Sequence, residues 1–416
     1  MKFLILKLLL LIFITIGFYL LDSYYSFSFW IYAYLFFLES FFLIFRFRNY
    51  TIVIVLLLFS SLWGLEFIIT DILGWGLSSG IIVSQLKFFY ILLILAYLPL
   101  FFINISSLKL TENKFQVSKY FFYLVFFLSL YITVFKINGV VVLGGSNGGY
   151  SGYVDNLEAG SGLIEYVLIF FCYLFLYKNL NFFERILRLL LILIFIVKCN
   201  LYGFRIQGIM AVLLLFYVIF SNKISALKTI IVFFPTVILA MLLGLAKHTD
   251  NLDLALLLNN DAIESTHMGT IISGTIALKS YPINYGYSLL SLITWIFPPS
   301  LLTSSIPELY PSVYSQKFLG AAGGMPFPIT GYLFGNYFGV LIIGIIAAFF
   351  VYLIINSSKN NLFKFLSMVL ITFFPRWILY DFVNFGIRTF IYSLLLFVFF
   401  ASIDRAIKYK KMFFIK

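Results

Sequence analysis

Apolar runs, most of them long enough for a bilayer crossing, follow one another along nearly all of this 416-residue chain, and the turns between them carry most of its cations. A membrane-spanning helix needs about 20 predominantly apolar residues, so the run length alone points into a bilayer. Hydrophobic residues make up 63% of the sequence and charged residues only 11%, against roughly 45–50% and about 25% in soluble domains. A soluble enzyme, a secreted disulfide scaffold and a disordered chain are therefore excluded. An outer-membrane barrel is excluded as well, because its strands read as short alternating segments and these runs are continuous. The expected fold is all-α, a single polytopic integral membrane domain over residues 1–416.

Breaks at polar and turn residues divide the chain into about twelve transmembrane helices. The first nine lie near Phe3–Leu21, Phe27–Phe45, Thr51–Leu73, Gly80–Ile105, Tyr120–Ile137, Gly162–Tyr177, Ile186–Leu201, Gln207–Phe220 and Ala226–Leu245. The last three lie near Ile329–Ile355, Phe363–Val383 and Thr389–Ile403. The first run follows Lys2 and Lys7 as a signal peptide would, but it lacks a small-residue cleavage site and reads as a retained span. Two cysteines, Cys172 and Cys199, are too few for a disulfide framework or a thiolate metal site.

Placing every second turn on one side gathers Lys2, Lys7, Arg46, Arg48, Lys109, Lys114, Lys119, Lys178, Arg185, Arg188, Lys223, Lys228, Lys359 and Lys364 there, together with the basic tail from Arg405. That is 19 of the 28 cations. The positive-inside rule assigns this side, and with it both termini, to the cytoplasm. Two long loops fall on the other side. Loop 138–161 is glycine-rich, and loop 247–328, between the ninth and tenth spans, holds an apolar stretch Ser288–Phe297 stopped by Pro298-Pro299. That stretch is too short to span and reads as an interfacial or re-entrant helix.

Nine cations remain unexplained by orientation: Lys87, Lys136, Lys198, Arg205, Lys247, Lys279, Lys317, Arg376 and Arg388. Charge at membrane depth is expensive and faces a cavity or a partner, and a guanidinium fork suits phosphate oxygens. As a set they point to an anionic ligand. The alternative is structural pairing, Arg376 with Asp381 or Lys87 with Glu66 or Asp71. No phosphate loop, His-Glu-x-x-His string or Asp-x-Asp pair occurs, so neither a nucleotide nor a metal cofactor is expected. His248 and His267 lie in the large loop near Asp250 and Glu264, where any of the four is a candidate general base.

Several strings then line up in order. Leu201-Tyr202-Gly203-Phe204-Arg205 opens a new span. Tyr285-Gly286-Tyr287-Ser288-Leu289 precedes Pro298-Pro299. Ala322-Gly323-Gly324-Met325-Pro326 leads to Gly335-Asn336-Tyr337-Phe338-Gly339, and Pro375-Arg376 sits in the penultimate span. In order and setting these strings resemble the Wzy-type O-antigen polymerases, which join lipid-linked oligosaccharide repeat units. One departure stands out: Gly331-Tyr332-Leu333-Phe334 has no Glu ahead of Asn336, where that family often carries one.

The resemblance implies a metal-independent glycosyltransferase at the outer face of the bacterial inner membrane. Its partner is an undecaprenyl diphosphate-linked oligosaccharide, whose glycan passes to the non-reducing end of a second lipid-linked repeat unit. A chain-length regulator is a further partner of such enzymes, and nucleic acid is not. Arg205, Arg376, Arg388, Lys198 and Lys247 are the expected diphosphate ligands, and Tyr281, Tyr285 and Tyr287 the expected glycan-stacking residues. Two rivals share features of this reading: an O-antigen ligase, with the same donor and another acceptor, and a lipid-linked oligosaccharide flippase. The mass of loop 247–328 and the spare cations favour a polymerase, since a flippase needs charge along a central path.

Overall fold

The computed structural model describes residues 14–17, 29–58, 60, 80–103, 118–139, 141, 161–177, 179–220, 271, 274–276, 278, 325–358 and 360–414. Helix follows helix, with a single backbone bridge from Met325 to Asp381 and no strand among the described residues. Helix α1 covers Phe29–Arg46 and α2 Gly80–Tyr97. The tighter turn Leu98–Phe102 continues α2 where Pro99 removes a backbone donor. Helix α3, Lys119–Tyr131, starts at Ser118, whose hydroxyl accepts from Phe121 N, and ends in a π-turn, Ile132–Lys136. Helix α4 covers Ser161–Leu174, α5 Phe182–Leu201 and α6 Arg205–Phe220. Helix α7 covers Phe327–Ile355, α8 Asn361–Thr372, α9 Phe374–Leu379, and α10 Thr389–Phe414 follows a π-helical segment, Phe382–Arg388.

Among the described residues, five helices are long and apolar enough to cross a membrane. Large side chains cover the outside of the bundle: Phe127, Phe135 and Phe183 each expose more than half of their surface. In water such a surface would drive association; against lipid tails it costs nothing. The protein is an all-α membrane protein.

Contacts between helix ends fall into two groups. At one end Arg46 donates to Ile103 O at 2.7 Å, Ser118 N to Asp404 Oδ1 at 2.7 Å, and Lys119 pairs with Glu184 at 2.7 Å. Rings of Phe121, Tyr173 and Phe400 pack edge to face in the same region. At the other end Lys198 reaches the close of α3, and Arg376 reaches the start of α4.

Two expected spans are interrupted. The run Ile329–Ile355 is not one straight helix, because non-helical backbone at Gly335 and Asn336 breaks α7. Phe327 packs against Trp377 and Phe382 and lines a small apolar cavity with Ala347 and Val351. A straight helix would hold Phe327 and Ala347 about 30 Å apart. The chain therefore runs along 327–334, turns at 335–336 and returns, a re-entrant hairpin at the point where a continuous span was expected. Asn336 takes φ 57° and ψ −147°, a backbone region that residues with a Cβ rarely adopt, and its side-chain oxygen accepts from Tyr337 N at 2.8 Å. The run Phe363–Val383 is likewise broken, since Pro375 cannot continue α8 and the helix restarts after Phe373. The expected span 226–245, most of the spans 3–21 and 51–73, and most of loops 138–161 and 247–328 lie outside the described residues.

Candidate functional site

The site begins at the turn between α5 and α6. Gly203 has φ 85°, a left-handed conformation that glycine adopts without a Cβ clash. That turn lets α6 start immediately at Arg205 and run back antiparallel to α5. Gln207, in the first turn of α6, is buried. Its carbonyl accepts from Arg376 Nη2 at 2.8 Å and its amide donates to Phe204 O at 3.1 Å, the orientation that satisfies both groups.

Arg376 reaches this point because Pro375 restarts the helix after Phe373. Its Nη2 also pairs with Glu165 Oε1 at 2.9 Å, with 14% of the Arg376 side chain and 19% of the Glu165 side chain exposed. The guanidinium carbon lies 5.1 Å from the Tyr380 ring centre and 4.9 Å from that of Phe385. Nε is buried and has no hydrogen-bond partner. Arg376 is thus packed against two rings and tied through one nitrogen.

Asp381 is not its partner, contrary to the pairing the sequence offered. Its Oδ1 accepts from Val383 N and Asn384 N, each at 3.0 Å, and Asn384 Nδ2 donates to Oδ2. This carboxylate is committed to the first turn of segment Phe382–Arg388, as a side-chain acceptor satisfies the orphan donors at a helix start. One residue earlier, Tyr380 O accepts from Met325 N, which pins the entry to the α7 hairpin beside Arg376. Arg388 closes the same segment, and Tyr166, the neighbour of Glu165, lies within electrostatic reach of both Arg388 and Tyr392. Of the five expected diphosphate ligands, Arg376 meets the first turn of α4 at Glu165, and Arg388 lies within electrostatic reach of the next residue, Tyr166.

Lys198 serves elsewhere. Its Nζ donates to Val134 O at 2.6 Å and to Asn138 Oδ1 at 3.1 Å, tying α5 to the end of α3. The backbone of Arg205 opens α6 two residues before Gln207; its side chain lies outside the described residues. So do Lys247, the four base candidates His248, Asp250, Glu264 and His267, and the ring residues Tyr281, Tyr285 and Tyr287. Among the described residues no cluster of His, Cys, Asp or Glu is arranged to hold a metal ion.

Sequence reasoning missed Glu165 and Gln207. The signal was present: Glu165 is the lone acidic residue in the apolar run Gly162–Tyr177, and a carboxylate inside a span calls for a cation. No family model, curated protein or solved structure matches the chain.

Proposed function

We propose that the chain is a membrane glycan polymerase of the bacterial inner membrane, moving glycan from an undecaprenyl diphosphate carrier to a second lipid-linked repeat unit. One observation carries this reading: two segments far from Arg376 in sequence meet it or the backbone one turn beyond it. Gln207, just past the Gly203–Arg205 turn, accepts from Arg376, and Met325, from the Gly-Gly-Met-Pro string, bonds the backbone of Tyr380 one turn beyond Arg376. Each contact lies in or beside one of the strings on which the resemblance rests. The cation-rich end, with Arg46, Lys119 and Arg185, is assigned to the cytoplasm by the positive-inside rule; Arg376, Arg388 and Glu165 then belong to the outer half.

In this reading the donor's diphosphate lies against Arg376 and Arg388. As the bond from the sugar to the diphosphate breaks, charge grows on the leaving oxygen, and fixed guanidinium donors in a low-dielectric site stabilise it. The acceptor hydroxyl attacks the sugar carbon while a base removes its proton. The donor supplies the energy, so no nucleotide takes part.

Deleting the gene in its host and resolving the surface polysaccharide by gel tests the reading. Acceptor capped with a single repeat unit is the expected product. Wholly uncapped acceptor indicates a ligase or a flippase instead, and an unchanged ladder removes the chain from the pathway.

A further inference from the structure

We infer that Glu165 is the general base of the transfer, a carboxylate that balances Arg376 while the site is empty and takes the acceptor's proton once diphosphate has replaced it on the guanidinium. The inference rests on the polymerase reading and adds to it a role for a residue that orientation and motifs left out.

The described carboxylates at the site have different commitments. Asp381 is fully buried and accepts from two backbone amides and an asparagine side chain. It cannot leave them without opening segment Phe382–Arg388. Glu165 has one charged partner, Arg376, met through Oε1 alone, since the Gln207 amide turns towards Phe204 O. Its side chain keeps 19% of its surface open, the part from which an acceptor hydroxyl would approach.

The contact with Arg376 is made to be exchanged. Nη2 is shared between Glu165 and Gln207, and Nε is buried without an acceptor, so the two-pronged capacity of the fork is unspent. A diphosphate with about two charges and several oxygens competes well against one end-on carboxylate oxygen. Packing against Tyr380 and Phe385 keeps the guanidinium in place during the exchange. A carboxylate that trades a cationic neighbour for an anionic one takes up a proton more readily, so donor binding itself prepares the base. In the step that follows, the acceptor O–H gives its proton to the Glu165 carboxylate and its oxygen bonds to the sugar carbon. The bond from that carbon to the diphosphate oxygen breaks, and its electron pair leaves with the diphosphate. The proton then passes to water.

The test uses the full-length chain in lipid nanodiscs, undecaprenyl diphosphate as the binding probe, and lipid-linked repeat units extracted from cells lacking the chain as substrate. Glu165→Gln keeps the shape and a hydrogen bond to Arg376 but cannot accept the proton. Turnover is expected to fall roughly 10²–10⁴-fold, while undecaprenyl diphosphate binds as tightly as before or more tightly, because its competitor has lost its charge. Glu165→Asp, which keeps the carboxylate, is expected to recover part of the turnover with an unchanged unfolding temperature. Weaker diphosphate binding by the Gln variant makes Glu165 an aiming partner of Arg376 and overturns the inference, as does turnover within about tenfold of wild type. If the wild-type chain neither binds undecaprenyl diphosphate nor extends the repeat units, the polymerase reading falls first, and the base assignment falls with it.

Discussion

Gly331 and Gly339 meet backbone to backbone, although eight residues of straight helix would hold them about 12 Å apart. A Cβ on Gly331 would lie 2.7 Å from Val340 Cα, and one on Gly339 would collide with Gly331 O. The hairpin exists because these two positions have no side chain, and the turn between them passes through Asn336 at positive φ.

Gly331→Ala and Gly339→Ala are therefore expected to open the hairpin, at a cost of about 1–3 kcal/mol each as for overpacking elsewhere. Gly335→Ala is the control: its Cβ meets nothing within 4 Å, and its φ of −177° is extended. At Asn336, replacement by Gly should be tolerated and by Val should not, since β-branched residues rarely accept positive φ. Thermal unfolding in nanodiscs reads all five variants. Equal melting temperatures for Gly335→Ala and Gly339→Ala would show that the close approach does not hold the hairpin.

At the cation-rich end, Glu184 caps α5 together with Asn181, just ahead of the Ile186–Leu201 run, and it pairs with Lys119. Lys119, then the Tyr123 hydroxyl and the Asn181 amide, hold its carboxyl down at about 2. A lowered carboxyl stabilises the fold above the ordinary carboxylate range, and that stability is lost as pH falls through it. Wild-type protein should lose melting temperature between about pH 5 and about pH 2 more steeply than Glu184→Gln, which has no proton to take up. Parallel curves for the two would mean that the ion pair contributes nothing.

The parts of the fold that follow from run length and cation alternation were legible in the sequence, because both signals are local. The bounds of α1, of α3 with its closing π-turn, and of α5 and α6 fall within a few residues of the expected runs. The two breaks were not, for a common reason: hydropathy averages over a window and does not register a change of direction. Phe327–Phe334 carries no charge and runs on into the apolar helix it folds back on, and only Gly331, Asn336 and Gly339 mark the turn. The site was legible through its cations and not through their partners. Arg376 stood out because charge is rare in such a chain; Glu165 is equally rare in its run, but its pairing with Arg376 appears only when α4, α6 and α9 are packed together. The cations also sort differently once their acceptors are known. Lys198 is a tie between helices, and Arg46, which reads in sequence as an orientation charge, is tied by a hydrogen bond to Ile103 O.

Reporter fusions check the orientation. Fusions after Gly145 and after Asn260 should report an extracytoplasmic position, and fusions after Lys114 and after Lys359 a cytoplasmic one, as the alternation of cations requires. Because the same alternation fixes all four, a single reversed signal breaks the assignment and moves Arg376 and Glu165 away from the outer half.

Arg376 and Lys198 separate ligand binding from helix tying. Arg376→Ala should lower polymerisation by about 10²–10³-fold, the usual effect of removing one donor from a developing oxyanion. Arg376→Lys should be impaired too, since an ammonium keeps the charge but loses both the planar fork and the packing against Tyr380 and Phe385. Lys198→Met should behave in the opposite way. It removes hydrogen bonds to Val134 O and Asn138 Oδ1, so the melting temperature should fall while polymer length in folded protein is retained. Arg48, exposed at the cation-rich end, is the neutral control, and a better one than Arg46, whose guanidinium holds Ile103 O. Polymer length by gel and unfolding temperature are read on the same preparations. Full-length polymer from properly inserted Arg376→Ala would leave Arg376 and Glu165 as a structural ion pair between α4 and α9, with the donor bound elsewhere.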